Sequence, residues 1–354
     1  MYSASSILRW MRESAGVRVE DVSECPHCGS GGDFLYEGLR DRYWDAPGTW
    51  SFRRCRGCRH LWLDPRPVPE DLGRLYHAYY THTQSGASRP TSMGLAARRA
   101  VIADMGYDGR VDGGRARAMG RLLRVAGPLR ESIEREVRHV RGPPRGTLLD
   151  IGCGDGSYLA SMRALGWAVL GLEPDAAAAA IARERHGLEV VQSPLERHTF
   201  PEDRIDAITV NHVIEHLHDP ARGLAVCERA LRRGGTVVVI TPNAESWGHR
   251  VFGSAWFHLD PPRHLQLFTP STLESLATKA GLVVTDLRTS ALSALQVHHM
   301  SVALREAGRV EDLGEPFRPT LRDRTFQIAE YGMVGVNPGA GEEIVLVATK
   351  GVPR

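Results

Sequence analysis

Two cysteine pairs with the same spacing offer the first chemistry. Cys25-Pro-His-Cys28 and Cys55-Arg-Gly-Cys58 each set two thiols at i and i+3. That spacing lets both sulfurs reach one metal ion while the amides of the turn stabilise their charge. The excursion between the pairs is β-like and aromatic (Phe34, Tyr36, Tyr43, Trp44, Trp50, Phe52), as a small metal module with little other core requires. Together Cys25, Cys28, Cys55 and Cys58 predict a closed tetrahedral zinc site, structural in role. His27 and His60 are spare ligands, but four thiolates fill the shell. No thioredoxin-like context surrounds either pair, so a redox role is not expected.

A second stretch, "LLDIGCGDGSYL" (148–159), ends an apolar run in Asp150 and then places Gly152, Gly154 and Gly156 at alternate positions. A glycine turn after a strand, opening a helix, lets a ligand approach the backbone. The last glycine of the dinucleotide pattern is replaced by Ser157. Asp150 beside this turn repels a pyrophosphate but suits a cationic ligand with an amino group. Glu173, closing "VLGLEP", is placed to accept from two ribose hydroxyls. A nucleoside carrying a charged amino-acid tail satisfies both acids.

The elements that must hold these residues follow from the texture after residue 146. TLLDIG, AVLGLE, LEVVQ, RIDAITVN and GGTVVVIT alternate with helical stretches. This predicts βαβ units and a mainly parallel, Rossmann-like α/β sheet with helices on both faces. "GLVVTDLRT" and "EEIVLVATKG" add two strands near the end. Upstream, residues 1–24 read as a short amphipathic helix and a strand. Pro69 starts a helix, 84–92 form a loop, and 93–140 are mostly helical. The division expected is 1–82 (zinc module and following helix), 83–145 (helical bridge or lid) and 146–354, with an insertion at about 242–270.

On these residues the sequence resembles the class I S-adenosylmethionine-dependent methyltransferases. "LLDIGCGDG" is similar to that family's first motif, and Glu173 to its ribose-binding acid. "VVQSPLE" (190–196) stands where the adenine-contacting loop lies, with Ser193 in place of the usual acid, so adenine contact falls to backbone. "FPEDRIDAITVNHVIEHLHDP" resembles the fourth-strand segment and "ALRRGGTVVVITPN" the fifth. The resemblance covers roughly 146–290 and the last strand. It implies S-adenosylmethionine as cofactor, bound by Asp150, Gly152, Gly154, Gly156, Glu173, Pro174, Leu195, Asn211 and His212. A sugar-nucleotide or NAD enzyme on a similar sheet is the alternative. The layout "CPHCGS", "RRCRGCRHLWLDPRP", then a Tyr-rich helix, resembles a bacterial subgroup acting on sugars, glycans and natural products, in which the zinc module helps cover the substrate pocket. Those enzymes usually have a longer C-terminal region, so their particular chemistry is not carried over.

Methyl transfer is an in-line displacement that needs aligned groups and, for a hydroxyl acceptor, a base. The segment Asn211–His216 resembles one in the quinone-biosynthesis O-methyltransferases, whose acids and histidine bind a divalent metal. Here His212 replaces the first acid, and no second metal is expected. The stretch after the fifth strand, "PNAESWGHRVFGSAWFHLDPPRHLQLFTPSTLESL", is long and rich in Trp and His, which suggests a lid or binding loop. His264 is the expected general base or substrate partner, His258 the second choice and His212 the third. A neutral imidazole near pH 7 suits the task. Trp256, Phe257 and Phe268 are expected as apolar walls. The alternative is that Asp260 and His264 only staple the loop. His298 and His299, adjacent on a helix, read as surface and core.

Composition bounds the function. A hydrophobic fraction of 42%, a charged fraction of 24% and a net charge of +2 describe a globular protein whose overall field favours neither nucleic acid nor membrane. The apolar runs are about half a bilayer span and no signal-peptide core opens the chain, so a cytoplasmic location is expected. The expected reaction is transfer to a small-molecule acceptor at oxygen, with carbon and nitrogen open and the oligomeric state unassigned. RNA modification is the rival, with Arg53, Arg54, Arg56, Arg59 and Arg66 interleaved with Trp50, Phe52 and Trp62 as a stacking and phosphate surface. A cofactor-binding protein without catalysis is the third reading.

Overall fold

The computed structural model describes residues 11–14, 16–76, 92–107, 113–123, 126–143, 146–310 and 317–351. The expected helix within residues 1–10, most of the 84–92 loop and the Tyr-rich continuation after residue 76 lie outside them. Where the first 24 residues are described, they form a hairpin instead of a helix and strand. β1 (Met11–Ser14) pairs antiparallel with β2 (Val17–Glu20). The alternation Val17, Val19 buries one face of β2, and β6 (Arg66–Pro67) pairs with it.

β3 (Gly32–Leu39), β4 (Trp50–Cys55) and β5 (Leu61–Leu63) form an antiparallel sheet carrying the cysteine turns. Its edge is completed from far along the chain. β12 (Gln266–Leu267) pairs with β5, Gln266 opposite Trp62. Trp50, Phe52, Leu61 and Leu63 therefore share one core with Phe252, Trp256, Leu259, Leu265 and Leu267. The aromatics do not serve a separate small module.

After α1 (Pro69–Leu72) come α2 (Ser92–Asp104), α3 (Gly113–Leu122) and α4 (Gly127–Glu136). Val101, Ile102, Met105, Ile133, Val137 and Val140 pack against one face of the main sheet. That sheet is built from β7 (Thr147–Ile151), α5 (Ser157–Ala164), β8 (Ala168–Leu172), α6 (Ala176–His186), β9 (Val190–Val191), β10 (Ile205–Asn211), α7 (Pro220–Ala230) and β11 (Leu231–Pro242). α8 (Trp247–Phe252), β12, α9 (Pro270–Lys279), β13 (Leu282–Ser290), α10 (Ala294–Ala307), α11 (Leu321–Val336) and β14 (Glu343–Lys350) follow. The strand order is β9-β8-β7-β10-β11-β14-β13. β7 to β11 run parallel, and β14 inserts antiparallel between β11 and β13. Four of the five β7 residues are buried, as a strand covered on both faces requires. No described helix is long and apolar enough to cross a membrane.

The antiparallel entry of β14 has a chemical consequence. Glu343 pairs in register with Pro242, so the acids that open β14 lie at the carboxyl ends of the parallel strands. Behind them Glu330 of α11 and Glu342 are both fully buried. Glu330 Oε1 accepts from the Glu342 amide at 2.8 Å. Trp256 Nε1 donates to Glu342 Oε2 at 2.8 Å. Burial, then the neighbouring acid, raises Glu330 to about 10 and Glu342 to about 7. Folded-state pKa values above the unfolded ones give stability that is complete at low pH and lost as pH rises through about 7 toward about 10. Glu330→Gln removes the buried carboxyl that must stay protonated and keeps an oxygen for the Glu342 amide. Its thermal midpoint is expected to fall less than that of the wild type between pH 5 and pH 9, on the order of a few degrees less. Equal falls in the two proteins would show that Glu330 does not titrate between these pH values.

Candidate active site

The turn after β7 is left-handed at all three glycines: Gly152, Gly154 and Gly156 have φ of 71°, 54° and 79°. Gly156 caps α5, and a side chain there would strike Ala182 and Leu188 of the neighbouring segment. At Gly154 a Cβ would meet nothing within 4 Å, so that glycine borders open space where a ligand can reach backbone. Glu173 folds back over the turn. Its Oε2 accepts from Gly154 N at 2.9 Å and its Oε1 from Asp175 N at 3.0 Å. Burial raises its pKa. Asp150 is fully buried in register with Thr209, whose hydroxyl donates to Oδ1 at 2.7 Å. The Arg138 guanidinium, stacked 3.8 Å over the Tyr158 ring, donates to the same oxygen. Asp150 Oδ2 has no hydrogen-bond partner. Burial pushes the carboxyl up to about 6, and a cationic amino group arriving at Oδ2 would supply what the site lacks. Asn211 Oδ1, at the end of β10, is likewise buried without a partner. Pro174 lies exposed beside Glu173. Leu195 points away, into the core cluster that holds Leu217 and Leu224, so its side chain cannot line the cradle.

Next to this cradle the chain gathers histidines. His212 has a left-handed φ of 51°. Its Nε2 lies 2.7 Å from Glu343 Oε1 and its Nδ1 lies 3.3 Å from Glu215 Oε1. Burial lowers its pKa, but the two carboxylates outweigh that and raise it to about 9. Arg135 completes the group with a bidentate pair to Glu343, at 2.6 and 2.9 Å. His258 stacks on His212 with ring centroids 5.9 Å apart, and its Nε2 is buried without a partner. His264 Nδ1 donates to the His258 carbonyl at 2.7 Å. Burial depresses His258 to about 3 and His264 to about 4. The expectation of an imidazole base poised near pH 7 is therefore corrected on all three. His212 is already protonated, and the other two rings are weak bases in a dry environment.

The supposed lid is also corrected. Every residue from 258 to 269 is buried, and the segment is wedged between the cysteine sheet and the main sheet. Trp256 and Phe268 are buried core side chains, not pocket walls. Trp256 is held by Glu342, and Phe268 meets His60 edge-on at 5.1 Å. Phe257 is half-buried against Tyr43. Arg263, which sequence reading passed over, is the centre of this wedge. It binds Asp41 with two bonds of 2.7 and 2.8 Å and Asp260 at 2.5 Å, all buried. Asp260 thus staples the segment through Arg263, and His264 Nε2 is 4.0 Å from it. His298 and His299 both face Asp323, at 2.6 and 3.1 Å, and tie α10 to α11.

The four cysteines converge: their sulfurs lie within 4.8 Å of one another, with Cys25–Cys58 at 3.7 Å and Cys28–Cys55 at 3.4 Å. A tetrahedron of sulfurs around zinc at ~2.3 Å has edges of about 3.8 Å, so the donor set fits. The two turns repeat one geometry. Gly29 N donates to Cys25 O and Arg59 N to Cys55 O, with Gly29 and Arg59 both left-handed. Of the five nearby arginines, Arg53 pairs with Asp64, Arg56 with Asp33, Arg59 with Glu245 and Arg66 with Glu20. Trp50, Phe52 and Trp62 are buried, which removes the stacking surface that RNA binding required.

Residues 117–287 match a protein family described as a methyltransferase domain. The chain carries a methyltransferase domain. Its class I, Rossmann-like α/β sheet is the one traced above. The domain is 30% identical over 154 residues to a ubiquinone biosynthesis O-methyltransferase of Alkalilimnicola ehrlichii, covering 40% of this chain and 62% of that protein. A protein of the same name from Cereibacter sphaeroides is 33% identical over 150 residues, covering 38% and 59%. The chain thus spans about three fifths of these relatives. Among solved structures, geranyl diphosphate C-methyltransferase of Streptomyces coelicolor aligns with a TM-score of 0.47 at 17% identity, over 80% of this chain and 99% of that one.

Proposed function

We propose that the protein transfers the methyl group of S-adenosylmethionine to a small-molecule acceptor, a natural-product or sugar intermediate, at oxygen. The observation that carries this reading is the pair of acids around the open glycine turn, Asp150 with an unpartnered oxygen and Glu173 folded over Gly154. The cofactor supplies an electrophilic methyl on a sulfonium. Asp150 would receive its amino group, Glu173 its ribose and Gly154 its backbone-facing side. Oxygen is favoured by the name of the relatives, which are O-methyltransferases; His212, His258 and His264 would shape the acceptor's surroundings and not serve as its base. The four cysteines would hold structural zinc, anchoring the sheet on which the His258–Gln266 segment is laid.

Two experiments test this reading. Asp150→Asn is expected to weaken S-adenosylhomocysteine binding about 10- to 100-fold in calorimetry, the worth of one charge-assisted hydrogen bond. An unchanged affinity would remove Asp150 from the cofactor site. Methyl-labelled S-adenosylmethionine is then offered with total bacterial RNA and with a small-molecule extract. Label in the extract alone is expected. Label in RNA would overturn the acceptor class, and bound cofactor with no label anywhere would mean binding without catalysis.

A further inference from the structure

Directly after β10, His212 takes a left-handed φ of 51°. Such a backbone costs a residue with a side chain and persists only where its surroundings hold it. What holds it here is a grip on the ring. Nε2 lies 2.7 Å from Glu343 Oε1, and Nδ1 lies 3.3 Å from Glu215 Oε1. Arg135, in the last turn of α4, takes both oxygens of Glu343 and keeps it ionised. Its Nη2 and His212 Nε2 stand 3.4 Å apart because they share Oε1. Glu215 Oε2 accepts from Thr241 at 3.0 Å. A neutral imidazole has one N–H and would turn a lone pair on one of these carboxylates, so the ring between them carries both protons. The other ionisable groups around it are His258, stacked at 5.9 Å, His264 behind that ring, and Tyr331 and Glu131 beyond Glu343 and Arg135.

The turn held in this way adjoins the cofactor cradle on both sides. Thr209 and Asn211, two residues apart on β10, share one face of the sheet. Thr209 donates to Asp150, and Asn211 lies one step nearer the turn with its Oδ1 buried and unpartnered. Past the reversal at His212, Val213 lies against the glycine turn. A Cβ placed on Gly152 would stand 2.4 Å from Val213 Cγ2. Gly152 is itself left-handed, with φ of 71°, so two turns of unusual backbone meet face to face. Any shift at His212 therefore reaches the cradle directly.

We propose that His212 is a positioning residue for the cofactor: its ring, gripped by Glu215 and Glu343, locks the turn that seats Val213 on Gly152 and fixes Asn211 on the face of Asp150. The grip belongs to the fold; its consequence for the cofactor rests on the methyl-transfer reading. The same arrangement gives α4 a part in the site, because Arg135 reaches Glu343 from a segment that precedes the main sheet.

His212→Gly is the decisive variant, because glycine takes the left-handed turn without strain and only the grip is lost. S-adenosylhomocysteine binding to the full chain is measured by calorimetry from pH 7 to pH 10. At pH 7 the variant is expected to bind about 10-fold more weakly, a coupling of ordinary size. The ratio of the two affinities is expected to shrink as pH rises through about 9, where the wild-type ring loses its second proton and the carboxylates release it. Titration of the ligand's amino group and of Asp150 occurs in both proteins and cancels in the ratio. Equal affinities at pH 7, or a ratio that stays constant to pH 10, overturn the proposal; a merely structural side chain gives the constant ratio. The ring itself is followed by nuclear magnetic resonance, its signal assigned by its absence from His212→Gly. It is expected to titrate near 9 in the wild type and lower in Glu343→Gln. A wild-type ring that titrates near the ordinary ~6.5 overturns the grip. Wild-type protein that binds no S-adenosylhomocysteine at any pH, with a ring that titrates near 9, overturns the methyl-transfer reading and leaves the grip standing.

Discussion

Arg263→Met is expected to lower the free energy of unfolding by about 3–5 kcal/mol, the typical result of removing one partner from a buried charge group. Arg263 is completely buried and answers two carboxylates, Asp41 after β3 and Asp260 in the connection after β11. Burial alone would raise Asp41, but Arg263 holds it below the usual carboxylate range. Asp41 also accepts three backbone amides, from Tyr43, Trp44 and Ala46, so it cannot swing away to water when its counter-charge is lost. The loss is read from urea unfolding of wild type and variant. Asp41→Asn added to Arg263→Met should recover some of it, since one of the two surviving carboxylate charges is then removed while that of Asp260 remains. A loss below about 1 kcal/mol, as for an exposed pair, would show that the wedge does not depend on this group.

The main sheet was legible because parallel strands buried on both faces leave continuous apolar runs, and TLLDIG, AITVN and TVVVIT are such runs. The convergence of the four cysteines was legible because each pair is local in sequence and the two pairs repeat one spacing. The segment 242–270 was not. Trp, Phe and His in an insertion look alike whether they line a pocket or fill a core, and the difference was decided by β12 pairing with β5, a contact between distant segments. Glu342 and Glu343 were passed over because "EEIVLVATKG" reads as a strand with a polar start. Only its antiparallel direction brings those acids to the end where Asp150, Glu173 and Asn211 lie. Arg135 and Arg138 belong to no motif in an arginine-rich stretch, yet one meets Glu343 and the other Asp150.

The histidines show why residue type alone could not assign the proton chemistry. His212 and His258 stack on one another, yet their pKa values are driven to about 9 and about 3. One faces two carboxylates and the other packs in the dry wedge with a nitrogen unpartnered. Environments that separate neighbouring rings so widely depend on Glu343 and the buried connection, neither of which adjoins His212 in sequence.

If the four cysteines hold zinc as proposed, its removal is expected to disturb much more than the two turns that carry them. Cys25, Cys55 and Trp62 pack as one cluster, and Trp62 lies opposite Gln266 on the strand that leads into the wedge. His60 Nε2 and Gln266 Oε1 bond at 3.1 Å, and Leu63 N donates to Leu265 O at 2.9 Å. The residues on either side of His264 are thereby fixed by the cysteine sheet. Structural zinc in small modules contributes on the order of 10 kcal/mol of apparent binding free energy at neutral pH. Losing even half of that would lower the thermal midpoint by roughly 7 °C in a chain of this size, at an unfolding entropy of ~2.1 cal/mol/K per residue. Cys55→Ser, or chelation after thiol modification, is therefore expected to produce that drop in calorimetry. Methyl transfer should fall about 100-fold or further, because an error of ~1 Å in catalytic placement alone costs that much. S-adenosylhomocysteine binding should survive, since Asp150, Gly154 and Glu173 are positioned by β7 and β8 and not by the cysteine sheet. A metal-free protein that melts within a degree or two of the holoprotein would show that the turns are held by packing alone. Loss of cofactor binding along with activity would mean that the wedge and the cradle unfold as one unit.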